Sequence, residues 1–410
     1  MNRFSKRESE IMKKIQFSAL ACLILSAAFL PSALANHRTG SIIAPELLVA
    51  GDFNQDGNMD LAVNCTGFDV VAILFGDGQG GFTLGGHFTV DTLSKGLQVG
   101  DVNMDGKLDL VNASNWGYSC TVHLGDGLGA FHWAAPPTEI DGDGEPVRHL
   151  LRDFNNDGRL DIAVNGPDED IALLYFGDGK GNFPAPSIEI EDVQHPFGMD
   201  AADLNGDGKL DMVVGGPSNT AGASLVTILL GDGAGGFRLS TLSVLDLPSS
   251  NKIGDLNNDG IPDIVVAGAQ PGNTTGNFIT TYLGNGRGVF ALAQTVQVGP
   301  GTLKGDIALG DFDEDGNLDV AFPKTGTQIP HDHSTSVLLF FGDGHGHLSA
   351  GPILTVGEEP HTVIAVDVNH DGHLDLANTN RTDGTVTAQL GDGNGNFTVS
   401  STTSVLSPIP

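Results

Sequence analysis

Asp52, Asn54, Asp56 and Asp60 set four oxygen-bearing side chains within nine residues, and Gly57 and Asn58 stand between the last two. Oxygen donors at places 1, 3, 5 and 9, a glycine at place 6 that lets the chain turn sharply and a backbone carbonyl at place 7 can wrap one hard cation in oxygen, as Ca²⁺ prefers. The chain writes this spacing seven times. The further copies are Asp101, Asn103, Asp105, Lys107, Asp109; Asp153, Asn155, Asp157, Arg159, Asp161; Asp203, Asn205, Asp207, Lys209, Asp211; Asp255, Asn257, Asp259, Ile261, Asp263; Asp311, Asp313, Asp315, Asn317, Asp319; and Asp367, Asn369, Asp371, His373, Asp375. Place 7 lends only its carbonyl, so a lysine, arginine, isoleucine or histidine there is compatible with a metal.

An EF-hand loop opens the same way but needs a bidentate Glu at place 12 and flanking helices. In the first copy place 12 is Val63, and the following residues read as a strand. Asp and Asn can also cap turns through their own backbone. Turn capping does not call for a carboxylate at place 9, however, and all seven copies carry one. The expectation is up to seven structural Ca²⁺ ions.

Such loops need elements to hold them. The chain has 410 residues, 58 of them glycine, with few aromatics and no long helical apolar periodicity, which points to many short strands joined by turns. The loop starts lie 49, 52, 50, 52, 56 and 56 residues apart, the length of a four-stranded antiparallel blade. A second landmark, G-D-G-x-G-x-F, follows each loop: Gly76–Phe82 in the first repeat, then close variants through Gly391–Phe397. Asp-Gly marks a tight hairpin, and the closing Phe or Leu is expected in the core. The fold class is therefore all-β: a seven-bladed β-propeller with the calcium loops between the first and second strands of each blade.

In an up-and-down blade, the calcium loops and the G-D-G turns share one face. The second-to-third-strand turns share the other. From place 1 to the G-D-G turn the distance is 24 residues in repeats 1, 2, 3 and 7, but 28, 29 and 31 in repeats 4, 5 and 6. The extra length, around 215–224, 268–277 and 322–335, falls opposite the calcium loops, where repeat proteins commonly bind partners, although drift in tolerant surface loops explains it as well. Either Ser41–Ala44 or the stretch after Phe397 could complete the last blade.

Residues 1–35 read as a signal peptide: Lys13 and Lys14 precede an apolar run from Ile15 to Leu30, and Ala33-Leu34-Ala35 supplies a small-x-small cleavage pattern. Residues 36–410 form the propeller, expected to be secreted, periplasmic or on the cell surface, monomeric and without a transmembrane segment. Cys65 and Cys120 could pair or remain two buried thiols. The formal charge is −32, and the leader carries five basic and two acidic residues, so the mature chain is near −35. Seven divalent ions would leave about −21. So acidic a surface argues against nucleic acid or an anionic membrane as partner.

Arg148, His149, His195 and His361 precede their metal loops by four to eight residues, near the central channel. They could form a sugar or carboxylate site, or act as general acids and bases. His331-Asp332-His333 could hold a transition metal with a third ligand, although a solvated loop explains it as well. No G-x-S-x-G elbow, P-loop or H-E-x-x-H motif is present.

The segments DFNQDGNMDLAV (Asp52–Val63), DFNNDGRLDIAV (Asp153–Val164), DLNGDGKLDMVV (Asp203–Val214) and DFDEDGNLDVAF (Asp311–Phe322) resemble FG-GAP and VCBS repeats, the unit of the integrin alpha-chain propeller and of many secreted bacterial proteins. The resemblance implies calcium ligands at places 1, 3, 5, 7 and 9, and partner binding commonly on the opposite face. It carries no single function, because the family includes polysaccharide-active and lectin-like members. The expected role is a binding or adhesion module for an extracellular protein or glycan. The alternative is an extracellular carbohydrate-active enzyme, lyase-like, with its site at the channel mouth.

Overall fold

Each repeat closes on itself through one recurring register. In the computed structural model, the residue before place 1 pairs with the aspartate at place 9 in all seven repeats, from Gly51↔Asp60 to Val366↔Asp375. The apolar residue at place 2 (Phe53, Val102, Phe154, Leu204, Leu256, Phe312, Val368) is buried every time. Burying it pulls the loop onto the end of the blade. The structure describes residues 43–91, 94–114, 119–134, 138–139, 148–166, 170–184, 188–194, 197–217, 224–244, 247–269, 276–299, 305–325 and 334–406.

Blade 1 comprises Pro45–Gly51, Asp60–Cys65, Val70–Gly76 and Phe82–Thr89, hydrogen-bonded in chain order. Blade 2 comprises Ser94–Gly100, Asp109–Ser114, Ser119–Gly125 and Phe131–Trp133, with Thr138–Glu139 also pairing with its third strand. Blade 3 is His149–Arg152, Asp161–Gly166, Ile171–Tyr175 and Ile188–Ile190; blade 4 is Gly198–Ala202, Asp211–Pro217, Ser224–Gly231 and Phe237–Val244. Blade 5 is Leu247–Gly254, Asp263–Ala269, Asn277–Gly284 and Phe290–Gly299; blade 6 is Ala308–Gly310, Asp319–Lys324, Ser336–Gly342 and Leu348–Thr355. Blade 7 is Pro360–Val366, Asp375–Asn380, Thr385–Gly391 and Phe397–Ser404. All pairings are antiparallel, which is the expected seven-bladed propeller. Second strands such as Asp60–Cys65 are buried on both faces, whereas outer strands such as Phe82–Thr89 alternate, so the two read differently in sequence.

Seven hydrophobic clusters fill the seams between neighbouring blades. One of them packs Leu61, Val63 and Leu74 of blade 1 against Ala377, Val386 and Ala388 of blade 7, and so closes the ring. The last blade takes all four strands from its own repeat, which answers the question of closure in favour of the stretch after Phe397. Ser400 and Ser401 Oγ donate to Gly80 O at 2.9 Å, and Thr403 Oγ1 donates to Phe82 O at 3.1 Å, stitching the same junction.

The long second-to-third-strand connections fall in blades 4, 5 and 6, at the end of the second strand opposite the loops. Residues 218–223, 270–275 and 326–333, with His331-Asp332-His333 among them, lie outside the described residues, as do the leader and His195. Cys65 and Cys120 are both free and buried in different seams, blade 7 to 1 and blade 2 to 3. Burial pushes each thiol up to about 12. No helix among the described residues is long and apolar enough to cross a membrane.

Candidate functional site

The seven loops stand at one end of the blades, each folded over its own carboxylates. At place 1 of the first loop, Asp52 accepts the N–H groups of Asp56 at 3.1 Å and Gly57 at 2.9 Å. Gly57 sits at φ +91°, a left-handed conformation that suits glycine. At place 3, Asn54 Oδ1 accepts Asp56 N, while its amide donates to Asp56 Oδ2 at 3.0 Å; loops 3, 5 and 7 repeat that amide bond. At place 5, Asp56 Oδ1 accepts Asn58 N at 2.8 Å. Lys107 and Lys209, at place 7, reach back to the place-5 carboxylates of Asp105 and Asp207 at 3.6 and 3.8 Å, and Arg159 does the same to Asp157. In these three loops a side-chain cation already stands against the place-5 acid.

Place 9 has a job that spacing alone does not reveal. Asp60 is fully buried; its Oδ2 accepts Phe53 N at 3.0 Å and its Oδ1 accepts Gly76 N at 2.9 Å. The same two bonds recur at Asp109, Asp161, Asp211, Asp263, Asp319 and Asp375. The aspartate therefore welds the loop to the G-D-G turn of its own blade. A carboxylate at place 9 thus serves two backbone donors, whether or not a metal also draws on it. Burial raises these acids, to about 6 at Asp109, Asp161 and Asp211 and about 7 at Asp319, against the pull of the two N–H bonds and with a further push from the acids at places 1 and 5 or, in the sixth loop, 1 and 3.

The fit to a cation is read most directly at places 1, 3 and 5. In the sixth loop, where place 3 is also an aspartate, one oxygen each of Asp311, Asp313 and Asp315 lie within 4.8 Å of one another. Asp311 Oδ1 is buried there with no hydrogen-bond partner. A buried, unpaired carboxylate oxygen beside two further carboxylates matches what a hard divalent ion requires. The residues present fit calcium.

The G-D-G aspartates are turn caps: Asp77 Oδ1 accepts Gln79 N at 2.8 Å and Gly81 N at 2.9 Å. The other sequence candidates separate from one another. His149 is buried and its Nε2 lies 3.1 Å from Val111 O of blade 2. His361 is buried and its Nδ1 lies 3.0 Å from Glu46 O of blade 1. Both rings are buried and tie adjacent blades, His149 also lining the central cavity, and burial lowers each to about 4. Arg148 reaches instead across the channel to Asp306 at 3.0 Å. Sequence reading missed Asp306 and Glu46. Glu46 holds Lys95 of blade 2 at 2.7 Å and Arg381 of blade 7 at 3.3 Å, and neither partner is signalled by the repeat.

A family model described as FG-GAP-like repeat matches residues 52–112, 101–164, 153–214, 203–266 and 255–322, which together exceed half of the chain. Similar solved structures include the hydrazine synthase of Kuenenia stuttgartiensis, at TM-score 0.61 and 12% identity over 90% of this chain and 100% of that one. A protein from Lactobacillus plantarum matches at TM-score 0.55 and 11% identity, over 87% of this chain and 96% of that one. A functionally unknown protein from Desulfotomaculum acetoxidans DSM 771 matches at TM-score 0.54 and 10% identity, over 82% and 89%. At such identities the likeness is one of fold alone. No curated protein matches the chain.

Proposed function

The chain belongs to the FG-GAP-like repeat family, and from that premise we propose that it is an exported propeller, stapled by calcium, that acts as a binding module for an extracellular protein or a glycan. The observation that carries the calcium reading is the sixth loop, with its three clustered carboxylates and the unpaired Asp311 Oδ1. The sequence repeats that loop, with Asn for Asp at place 3, in the other six blades. When bound, the cation would neutralise acids that otherwise repel one another and would join places 1, 3 and 5. The leader-like residues 1–35 support export, and the long connections of blades 4, 5 and 6 support the opposite face as the partner surface. A carbohydrate-active reading draws no support from His361, whose ring is buried between blades 7 and 1.

Equilibrium dialysis against calcium tests the reading. The proposal expects close to seven ions per chain, and loss of one in Asp311→Asn that leaves the fold intact by circular dichroism. A chain that binds none at millimolar calcium would sink it. For the partner, replacing 325–335 by the short turn of blade 7 should abolish capture of a ligand found by glycan or protein array.

A further inference from the structure

Inside the ring the first strands enclose a cavity of about 380 Å³, within the range of small-ligand sites. Its floor is the Arg148–Asp306 bridge. Blades 3 and 6 are as far apart as a seven-membered ring allows, so a 3.0 Å contact between them must pass over the axis. Ser250 Oγ donates to Asp306 Oδ1 at 3.1 Å and fixes the other carboxylate oxygen. The channel is thus crossed at the ends of the strands remote from the metal loops. It becomes a cup whose rim, at Arg152, adjoins the loops.

Above that floor the wall carries Gln98, Asp200 and Lys252 among apolar Val49, Leu150 and Ile364. Asp200 is positioned by Ala201 N and Ile253 N, each at 2.9 Å, and feels both Lys252 and Arg152. Lys252 is attracted by Asp200 and Asp306 but makes no contact-range ion pair with either. The Arg152 guanidinium spends one N–H on its neighbour's carbonyl, Leu151 O, at 2.8 Å. Lys252 within the cavity and Arg152 at its exposed rim therefore offer two cationic heads with donors to spare, in a chain of formal charge −32. Low-dielectric walls focus such a field on an anion.

We propose that this cup binds a small hydroxylated carboxylate of the sugar-acid type. Lys252 and Arg152 take the carboxylate, Gln98 and Asp200 take hydroxyls, and Val49, Leu150 and Ile364 cover the C–H face of the ring. This site lies on the loop side of the molecule and is separate from the partner surface proposed above. Either can fail without the other.

Calorimetric titration of the calcium-loaded mature chain with D-galacturonate and D-glucuronate, with D-galactose as the neutral control, tests the assignment. The expected result is saturable binding of at least one uronate, weakened at least about tenfold in Lys252→Met and at least about tenfold tighter than galactose, as loss of a charge-assisted contact requires. Should Lys252→Met not fold, the preference for uronate over galactose in the parent chain decides the matter. No saturation by about 20 mM, a range that reaches even millimolar affinities, would overturn the proposal. So would equal affinity for galactose, or a folded Lys252→Met that binds as the parent does. Calcium stoichiometry, measured on the same sample, keeps the two readings apart.

Discussion

At place 9 two backbone N–H donors give the aspartate a structural role beside the metal-ligand role expected from its spacing. Asn in its place keeps the shape but turns an amide N–H toward one of the donors. Asp211→Asn should therefore cost about 1–3 kcal/mol, the penalty of one buried unpaired donor. Urea unfolding in excess chelator would measure it, and an unchanged midpoint would refute the weld. The place-9 aspartate itself was legible in the sequence; its partner was not. Gly76 follows Asp60 by 16 residues but Gly342 follows Asp319 by 23, and a backbone amide leaves no mark on composition. Histidine 149 shows the same limit, since its apparent nearness to the channel said nothing of Val111 O. Burial, chiefly, keeps His149 neutral down to about pH 4 against 6.5 when exposed. Between those values the unfolded chain takes up a proton that the folded chain refuses at this residue, so the contribution of His149 to stability is full above about 6.5 and falls as pH drops toward about 4. His149→Gln removes this dependence. The signed slope of unfolding free energy against pH near pH 5.5 should fall by about 1.4 kcal/mol per pH unit relative to the parent; parallel slopes would exclude the assignment.

At the scale of the element, each blade is built on a loop and a turn pressed together. A Cβ added at Gly76 would lie 2.1 Å from Met59 O, and the equivalent glycine of every other blade meets its own place-8 carbonyl at 2.1 to 2.3 Å. That contact is why the second landmark opens with glycine. Gly76→Ala should destabilise by ~3 kcal/mol, the upper end of what overpacking costs, read as a lowered denaturation midpoint; a loss below about 0.5 kcal/mol would mean the turn can shift freely. The loops also touch one another. Gln55 Nε2 donates to Gly106 O at 3.1 Å, Asn258 Nδ2 to Asn317 Oδ1 at 2.7 Å, and Glu314 meets the His373 ring, in each case from place 4 of one loop to place 6 or 7 of the next. Strand number and order could be read from the repeat because period and landmark recur. Which end completes the last blade could not, since both ends carry strand-like residues and only the pairing of Phe397–Ser404 with Thr385–Gly391 distinguishes them.

For the whole molecule, a ring of seven blades has seven seams, so opening one seam exposes an entire cluster. Cys65 and Cys120 report on two of those seams. In the mature chain both thiols should resist a disulfide reagent until the ring unfolds, because burial suppresses the thiolate; prompt reaction of either in the native state would contradict the packing. Acidity is likewise a property of the ring, with seven acid-rich loops gathered on one face of a chain of formal charge −32. Folding and calcium binding should then be linked, each ion contributing according to its concentration relative to its dissociation constant. The most direct test is a calorimetric melt of the mature chain at millimolar calcium and again in excess chelator. The account expects the melting temperature to fall by about 10 °C or more on chelation, since several sites of about 1–2 kcal/mol each add together. A melt that chelation leaves unchanged would contradict calcium as the staple of this propeller.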